Sequence, residues 1–307
     1  MKQYNFPFVQ YRRVAFVLAA IIVLAGIISL SLNSLNPGID FKEGTILQLR
    51  LAAGYQMQEV QEVLSPFGLD GVPLQRVGRE GFAEGREVVI KAPYLQEATR
   101  KEVIAAFQER WPEMTAEDVL RVENVGATIG RELTREAFYA LLLAAAGMIL
   151  YITFRFEFRF AVAAILTLLF DIFTVLTVFS LFQIEINSPF IAAILTIVGY
   201  SINDTIVIFD RIRENLKRYS RKKPLAEVVN GSINDSLIRS LNTSLTTLIV
   251  LVSLFIAFNY FVGGMDLKAF ALALLVGVVI GTCSSVFIAG PLWFSLQPAE
   301  KRQKTLA

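Results

Sequence analysis

The chain has 307 residues, enough for one large domain or two smaller ones. Apolar residues make up 54%, and adding the 19 Gly brings the share to about 60%, against roughly 45–50% in soluble globular domains. The net charge is only +2, histidine is absent, and Cys283 is the sole cysteine. A Ser-His-Asp triad, a His-ligated metal, an internal disulfide and an iron–sulfur cluster are thereby excluded. The weak, dispersed basic charge argues against nucleic-acid binding. With a mean hydropathy of +0.54, long uncharged runs are the feature to trace.

Six runs are long enough to cross a bilayer, which takes about 20 residues of helix. They cover residues 14–32, 137–154, 160–182, 189–209, 243–262 and 267–290. The first follows Lys2, Arg12 and Arg13, as a signal peptide would. Its 19-residue run is longer than a signal core and no A-x-A site follows, so it reads as an uncleaved anchor. The predicted fold class is therefore an α-helical integral membrane protein of six spans.

Residues 33–136 separate the first two spans and carry 17 acidic against 12 basic residues. Residues 45–51 alternate as a strand, and 57–64 have helical spacing that stops at Pro66-Phe-Gly68. Residues 73–77 and 87–91 read as strands joined by a loop with Gly78, Gly81 and Gly85. Residues 96–111 form a second helix with Val103, Ile104 and Phe107 on one face, and 119–125 a last strand. The order βαββαβ predicts a small α+β ferredoxin-like domain. The division is then 1–32 for the N-terminus and first span, 33–136 for the inserted domain and 137–296 for the other five spans. A cytoplasmic loop is expected at 210–242 and a cytoplasmic tail at 297–307.

Positive charge sets orientation. Lys2, Arg12 and Arg13, then Arg155 and Arg159, then Arg211, Arg213, Lys217, Arg218, Arg221, Lys222, Lys223 and Arg239, and finally Lys301, Arg302 and Lys304 all fall on one side of a six-span chain. Both termini are thus expected in the cytoplasm and the inserted domain outside. The basic stretch 210–223 reads first as a solvated topology signal, or more sharply as a contact for anionic lipid or a cytoplasmic partner.

Only Asp171 and Asp204 lie well inside spans, where a carboxyl costs at least about 2.5–3.5 kcal/mol on insertion scales. Either is a functional group or a carboxyl satisfied by neighbouring helices. Asp204 sits in the polar stretch Gly199-Tyr-Ser-Ile-Asn-Asp-Thr205. Helical spacing puts Tyr200 and Ser201 on its face, where they could hold water or bond the carboxyl. Arg239 begins a second polar face with Asn242, Thr243, Thr246 and Thr247, at a similar depth on the returning span. It is either a partner for Asp204 or an anchor reaching to the lipid phosphates. An arginine keeps its proton and a carboxyl need not, so a carboxyl that meets and leaves an arginine can carry protons. Gly277-x-x-x-Gly281 allows close helix packing, and Cys283 is expected to be a buried small residue. No G-x-x-x-x-G-K-[ST] loop is present, which argues against an ATP-driven pump.

Four stretches carry a resemblance that spans nearly the whole chain. They are Pro37-Gly-Ile-Asp-Phe-Lys-Glu-Gly44, Gly199-Tyr-Ser-Ile-Asn-Asp-Thr205 with Phe209-Asp-Arg-Ile-Arg-Glu-Asn215, Arg239-Ser-Leu-Asn-Thr-Ser-Leu-Thr-Thr247, and Phe270-Ala-Leu-Ala-Leu-Leu275 through Gly281-Thr282 to Phe287-Ile-Ala-Gly-Pro291. Together they resemble the SecF family, the smaller subunits of bacterial SecDF protein-export complexes in the RND superfamily. Glu43 stands where that family usually has glycine, and Cys283 where it often has tyrosine. The resemblance implies a SecD-like homologous partner, the SecYEG translocon and preproteins as further partners, and the bacterial inner membrane as location. It implies protons as coupling ion, no other cofactor, no metal and no enzymatic reaction. It places Asp204 and Arg239 on a proton pathway and makes Asp171 a family feature of less settled role; the polar residues Asn203, Ser201, Tyr200, Thr243 and Thr247 around them are expected along the same pathway. Gly38, Asp40, Gly44, Gly199, Gly277 and Gly281 are its structural positions. Two other readings stand beside it: a non-transporting scaffold subunit, and an exporter of small molecules or lipids from the same superfamily.

Overall fold

A computed structural model describes residues 5–52, 54–77, 86–155, 157–219, 222–258 and 265–298. The glycine loop around Gly78, Gly81 and Gly85, and the tail after residue 298, lie outside the described residues. The chain divides into two compact units: Met1–Asn36 with Tyr139–Phe255 and Asp266–Ala307, and Pro37–Phe138 with Ile256–Met265.

The first unit is helical. It contains α1 (Arg12–Leu32), most of α4 (Ala127–Arg155), α5 (Phe158–Leu181), α6 (Ser188–Tyr219), α7 (Leu225–Ala257) and α8 (Met265–Ser284). A π-helical turn, Ser285–Ala289, joins α8 to the short α9 (Gly290–Ser295). Among the described residues six helices are long and apolar enough to cross a membrane, the last running from α8 through α9. Half of the apolar stretch is buried in α5 and α6, and 56% in the last span; the values for α1, α4 and α7 are 11%, 6% and 17%. The outer three helices therefore offer most of their surface to lipid or to other protein.

The core of this unit gathers Phe160, Phe209, Ile212, Val229, Ile233 and Trp293. Phe160 stacks on Trp293 with ring centroids 4.5 Å apart and tilts against Phe209 at 4.9 Å. These residues explain why two helices overrun their apolar segments. The expected loop 210–242 is mostly helix, because α6 continues to Tyr219 and α7 begins at Leu225. Hydropathy marks only what the membrane requires. Beyond it, Ile212, Val229 and Ile233 keep an apolar stripe, and burying that stripe holds the helices together.

Where α1 meets α5, small residues allow close approach. Gly26 faces Thr177 and Phe173, with no room for a side chain. One turn on, the Ser29 and Ser180 hydroxyls are hydrogen-bonded at 2.8 Å.

The second unit holds β1 (Gly44–Arg50), α2 (Met57–Leu64), β2 (Leu74–Val77), β3 (Glu87–Ala92), α3 (Glu97–Arg110) and β4 (Val119–Val125). The sheet order is β2-β3-β1-β4, antiparallel throughout, with Leu47 opposite both Ile90 and Val122. Alternation puts Leu47, Leu49, Val88 and Ile90 on one face, where they meet Val60, Leu64, Val103 and Phe107 from the two helices. Glu59 accepts from the Gln56 N–H at 2.9 Å and starts α2. The 3-10 turn Ser65–Phe67 ends it, with Gly68 at φ +69°. Gly44 opens β1 with its α-carbon so close to Ile39 that a Cβ would lie 2.7 Å from Cγ2. Nearby, the buried Gly38 carbonyl accepts from the N–H groups of Phe41 and Lys42, both at 3.0 Å, and Asp40 is half-buried in that turn.

Candidate functional site

The membrane carboxyls sit on neighbouring helices with different surroundings. Asp171 on α5 is fully buried. The Ser201 hydroxyl of α6 donates to its Oδ2. The Ser284 hydroxyl lies near the same carboxyl at the end of α8 and donates to the Gly281 carbonyl at 3.1 Å. Oδ1 of Asp171 has no hydrogen-bond partner among the described residues.

Asp204 follows Ser201 by three residues on α6 and is 3% exposed. Its Oδ2 has no hydrogen-bond partner among the described residues. Arg239 on α7 is exposed and lies within electrostatic range of Asp204, but no ion pair joins them among the described residues. A buried carboxylate oxygen without a donor is costly.

The expected partners of Asp204 are placed elsewhere. Ser201 serves Asp171, and the Tyr200 hydroxyl donates to Ser244 at 3.1 Å. Ser244 in turn bonds Thr282 at 2.6 Å, so Tyr200 ties α6 to α7 and α8. The reason is helix packing: α8 comes so near α6 at Gly281 that a Cβ there would stand 3.2 Å from that of Ser201. Ser201 is therefore enclosed between α5 and α8 and does not turn along its own helix. Thr205, next to Asp204, bonds Ser285 at 3.0 Å.

On α7, Thr243 donates to the Arg239 carbonyl at 3.0 Å and Thr247 to the Thr243 carbonyl at 2.9 Å. These hydroxyls are satisfied by their own helix. Arg239, Asn242, Thr243 and Thr246 are all exposed on this chain, Thr247 is half-buried, and Asn203 on α6 is exposed. Gly199 is exposed with open space around it, whereas Gly277 is buried against Ile197. Cys283, expected to be buried, is exposed. The end of α8 turns Ser284 and Ser285 inward, which leaves Cys283 on the outer face. Ser284, Ser285, Thr282 and Ser244 are not among the pathway residues expected from sequence. The run Gly281-Thr-Cys-Ser-Ser285, small and polar within an apolar span, was the available signal. Among the described residues no group of three or more His, Cys, Asp or Glu could hold a metal ion.

A family profile described as protein export membrane protein SecD/SecF, C-terminal, matches residues 108–299. The protein translocase subunit SecF of Sebaldella termitidis is 39% identical over 95% of this chain and 92% of its own length. The chain belongs to the SecF family. Another member, the protein translocase subunit SecF of Desulfurispirillum indicum, is 38% identical over 97% of this chain and 94% of its own. The crystal structure of SecDF from Thermus thermophilus, described as a translocon-associated membrane protein, matches with a TM-score of 0.80 and 37% identity. The match covers 94% of this chain and 38% of that one. SecDF in its super-membrane-facing form gives 0.70 and 36%, over 98% and 40%. This SecF-family chain thus spans about two fifths of the solved SecDF chains. It is a membrane protein of the protein-translocase class.

Proposed function

We propose that this SecF-family chain is the smaller half of a proton-driven machine that helps draw preproteins across the bacterial inner membrane. One observation carries the reading. Among the described residues, Asp204 is buried with an unpartnered carboxylate oxygen, and Arg239 stands within electrostatic range without closing an ion pair. A proton reaching Asp204 neutralises it, and its departure restores attraction to Arg239. Each charge that crosses the field gains about 2.3 kcal/mol per 100 mV, so one or two protons suffice to shift a two-state equilibrium several-fold or more.

The partner that fits is a SecD-like homologous subunit. The polar face of Arg239, Asn242, Thr243 and Thr246 is exposed on this chain, and hydrocarbon cannot solvate a guanidinium or an amide. The likeness to SecDF chains of more than twice this length supports the same reading. SecYEG and the preprotein are the further partners, and the distribution of basic residues supports a cytoplasmic location for both termini. The inserted unit is then extracytoplasmic. Its βαββαβ order and β2-β3-β1-β4 sheet support a ferredoxin-like fold, and in this reading the unit moves with the cycle. The work comes from the proton gradient; no chemical reaction and no bound cofactor is invoked.

The test is gradient-dependent preprotein export in cells carrying Asp204→Asn, with membrane levels of this chain and its partner checked. Export at the level of a deletion, with the complex assembled, is the expected result. Normal export would refute proton passage at Asp204 and leave a scaffold role.

A further inference from the structure

Among the described residues Asp204 has no hydrogen bond at Oδ2 to hold its carboxyl in place. Its position is set by the helix that carries it. One turn earlier, α6 is anchored by Ser201, whose hydroxyl donates to the fully buried Asp171 of α5. From the other side α8 presses on the same residue through Gly281, and Ser284 faces the same Asp171 carboxyl. Three helices thus converge at one serine, three residues from the proposed proton carrier.

We infer that Asp171 is a positioning residue: through Ser201 it sets the rotation of α6, and with it the relation of Asp204 to Arg239. The inference rests on the proposed role of Asp204. Residues 201 and 204 share a helix face, so any turn of α6 moves both. A rotation of about 20° carries an atom on the helix rim, about 5 Å from the axis, by about 2 Å. That is enough to break a hydrogen bond. While the Ser201–Asp171 bond holds, α6 keeps Asp204 at its present setting; when it opens, Asp204 turns. The bond needs an acceptor on α5, not a charge. A carboxylate, a protonated carboxyl or an amide oxygen each provides one. This separates Asp171 from a residue that carries the proton itself, for which an amide is useless.

The experiment uses the assembled complex in proteoliposomes with an imposed proton gradient. It compares Ser201→Ala, Asp171→Asn and Asp204→Asn for gradient-driven export. The infrared carbonyl stretch of protonated Asp204, the band missing in Asp204→Asn, is followed in parallel. Ser201→Ala removes one oxygen from a small side chain and fits the space beside Gly281. It is expected to lower export about tenfold, the scale of losing a hydrogen bond to a charged group, and to shift the Asp204 band. Asp171→Asn is expected to keep at least half of the export and leave the band in place. Loss of export in Asp171→Asn as complete as in Asp204→Asn, with the complex assembled, would overturn the inference and make Asp171 a proton carrier. So would a Ser201→Ala protein with native export and an unshifted band. Native export in Asp204→Asn defeats the underlying reading instead, and that outcome is distinct from both.

Discussion

Asn234 on α7 holds the chain at Phe6 by two hydrogen bonds, accepting from the Phe6 N–H at 3.0 Å and donating to the Phe6 carbonyl at 2.9 Å. One turn earlier Asn230 accepts from the Val9 N–H at 2.9 Å and donates to Gln10 Oε1 at 2.8 Å. The segment before α1 is thus fastened to the extension of α7 that hydropathy alone assigns to a loop. Asn234→Ala removes both bonds at Phe6, worth about 1–3 kcal/mol. Amide hydrogen exchange at Phe6 is expected to rise about tenfold or more, while exchange in β1 stays unchanged. Mass-spectrometric exchange on the purified protein checks this.

Gly277 leaves α8 no space beside Ile197, because a Cβ would overlap three atoms of that side chain. Gly277→Ala forces the helices apart and is expected to cost about 1–3 kcal/mol. Ile197→Val, which removes a methyl at the clash, is expected to recover part of the loss. Thermal unfolding in detergent of both single variants and the double variant measures the coupling.

Phe107 on α3 is fully buried and stacks on Trp111 with ring centroids 5.6 Å apart. Its loss opens a cavity against Leu47, Leu49 and Ile90 in the small core of the second unit. Phe107→Ala is expected to cost about 3–5 kcal/mol. Ile104, on the same helix but half-buried, should cost less on change to Ala. Hydrogen exchange of β1 and β3 in the full chain distinguishes the two.

Asp118 caps a short 3-10 turn, accepting from both the N–H and the hydroxyl of Thr115 at 2.8 Å. The Thr115 N–H, then its hydroxyl, hold the carboxyl below its ordinary value of 3.8. The folded chain therefore prefers the ionised form. The contribution is present above the unfolded value and disappears as the pH falls through the lower folded one. Between about pH 5 and about pH 3 the thermal midpoint is expected to fall less in Asp118→Asn than in the native chain. Equal falls would show that the cap does not respond to acid.

The two units differ in how much could be read in advance. In the second, strand alternation and helix spacing are local, so the order of elements and the face bearing Val103 and Phe107 follow from neighbours in sequence. In the first, the spans follow from hydropathy, but the ends of α6 and α7 do not. Ile212 and Val229 look like stray apolar residues in the expected loop 210–242 until they are seen packed in one core.

The same limit applies to the site. Composition and depth singled out Asp171, Asp204 and Arg239, because a charge in hydrocarbon stands out wherever it occurs. The pairing was beyond reach. Ser201 lies on the helical face of Asp204, yet it bonds Asp171, 30 residues away in sequence, since Gly281 and Ser284 bring α8 against it. Periodicity states which residues share one helix face. Only the packing of three helices decides which carboxyl that face meets, because a side-chain hydrogen bond depends on ångström distances between segments that sequence spacing leaves free.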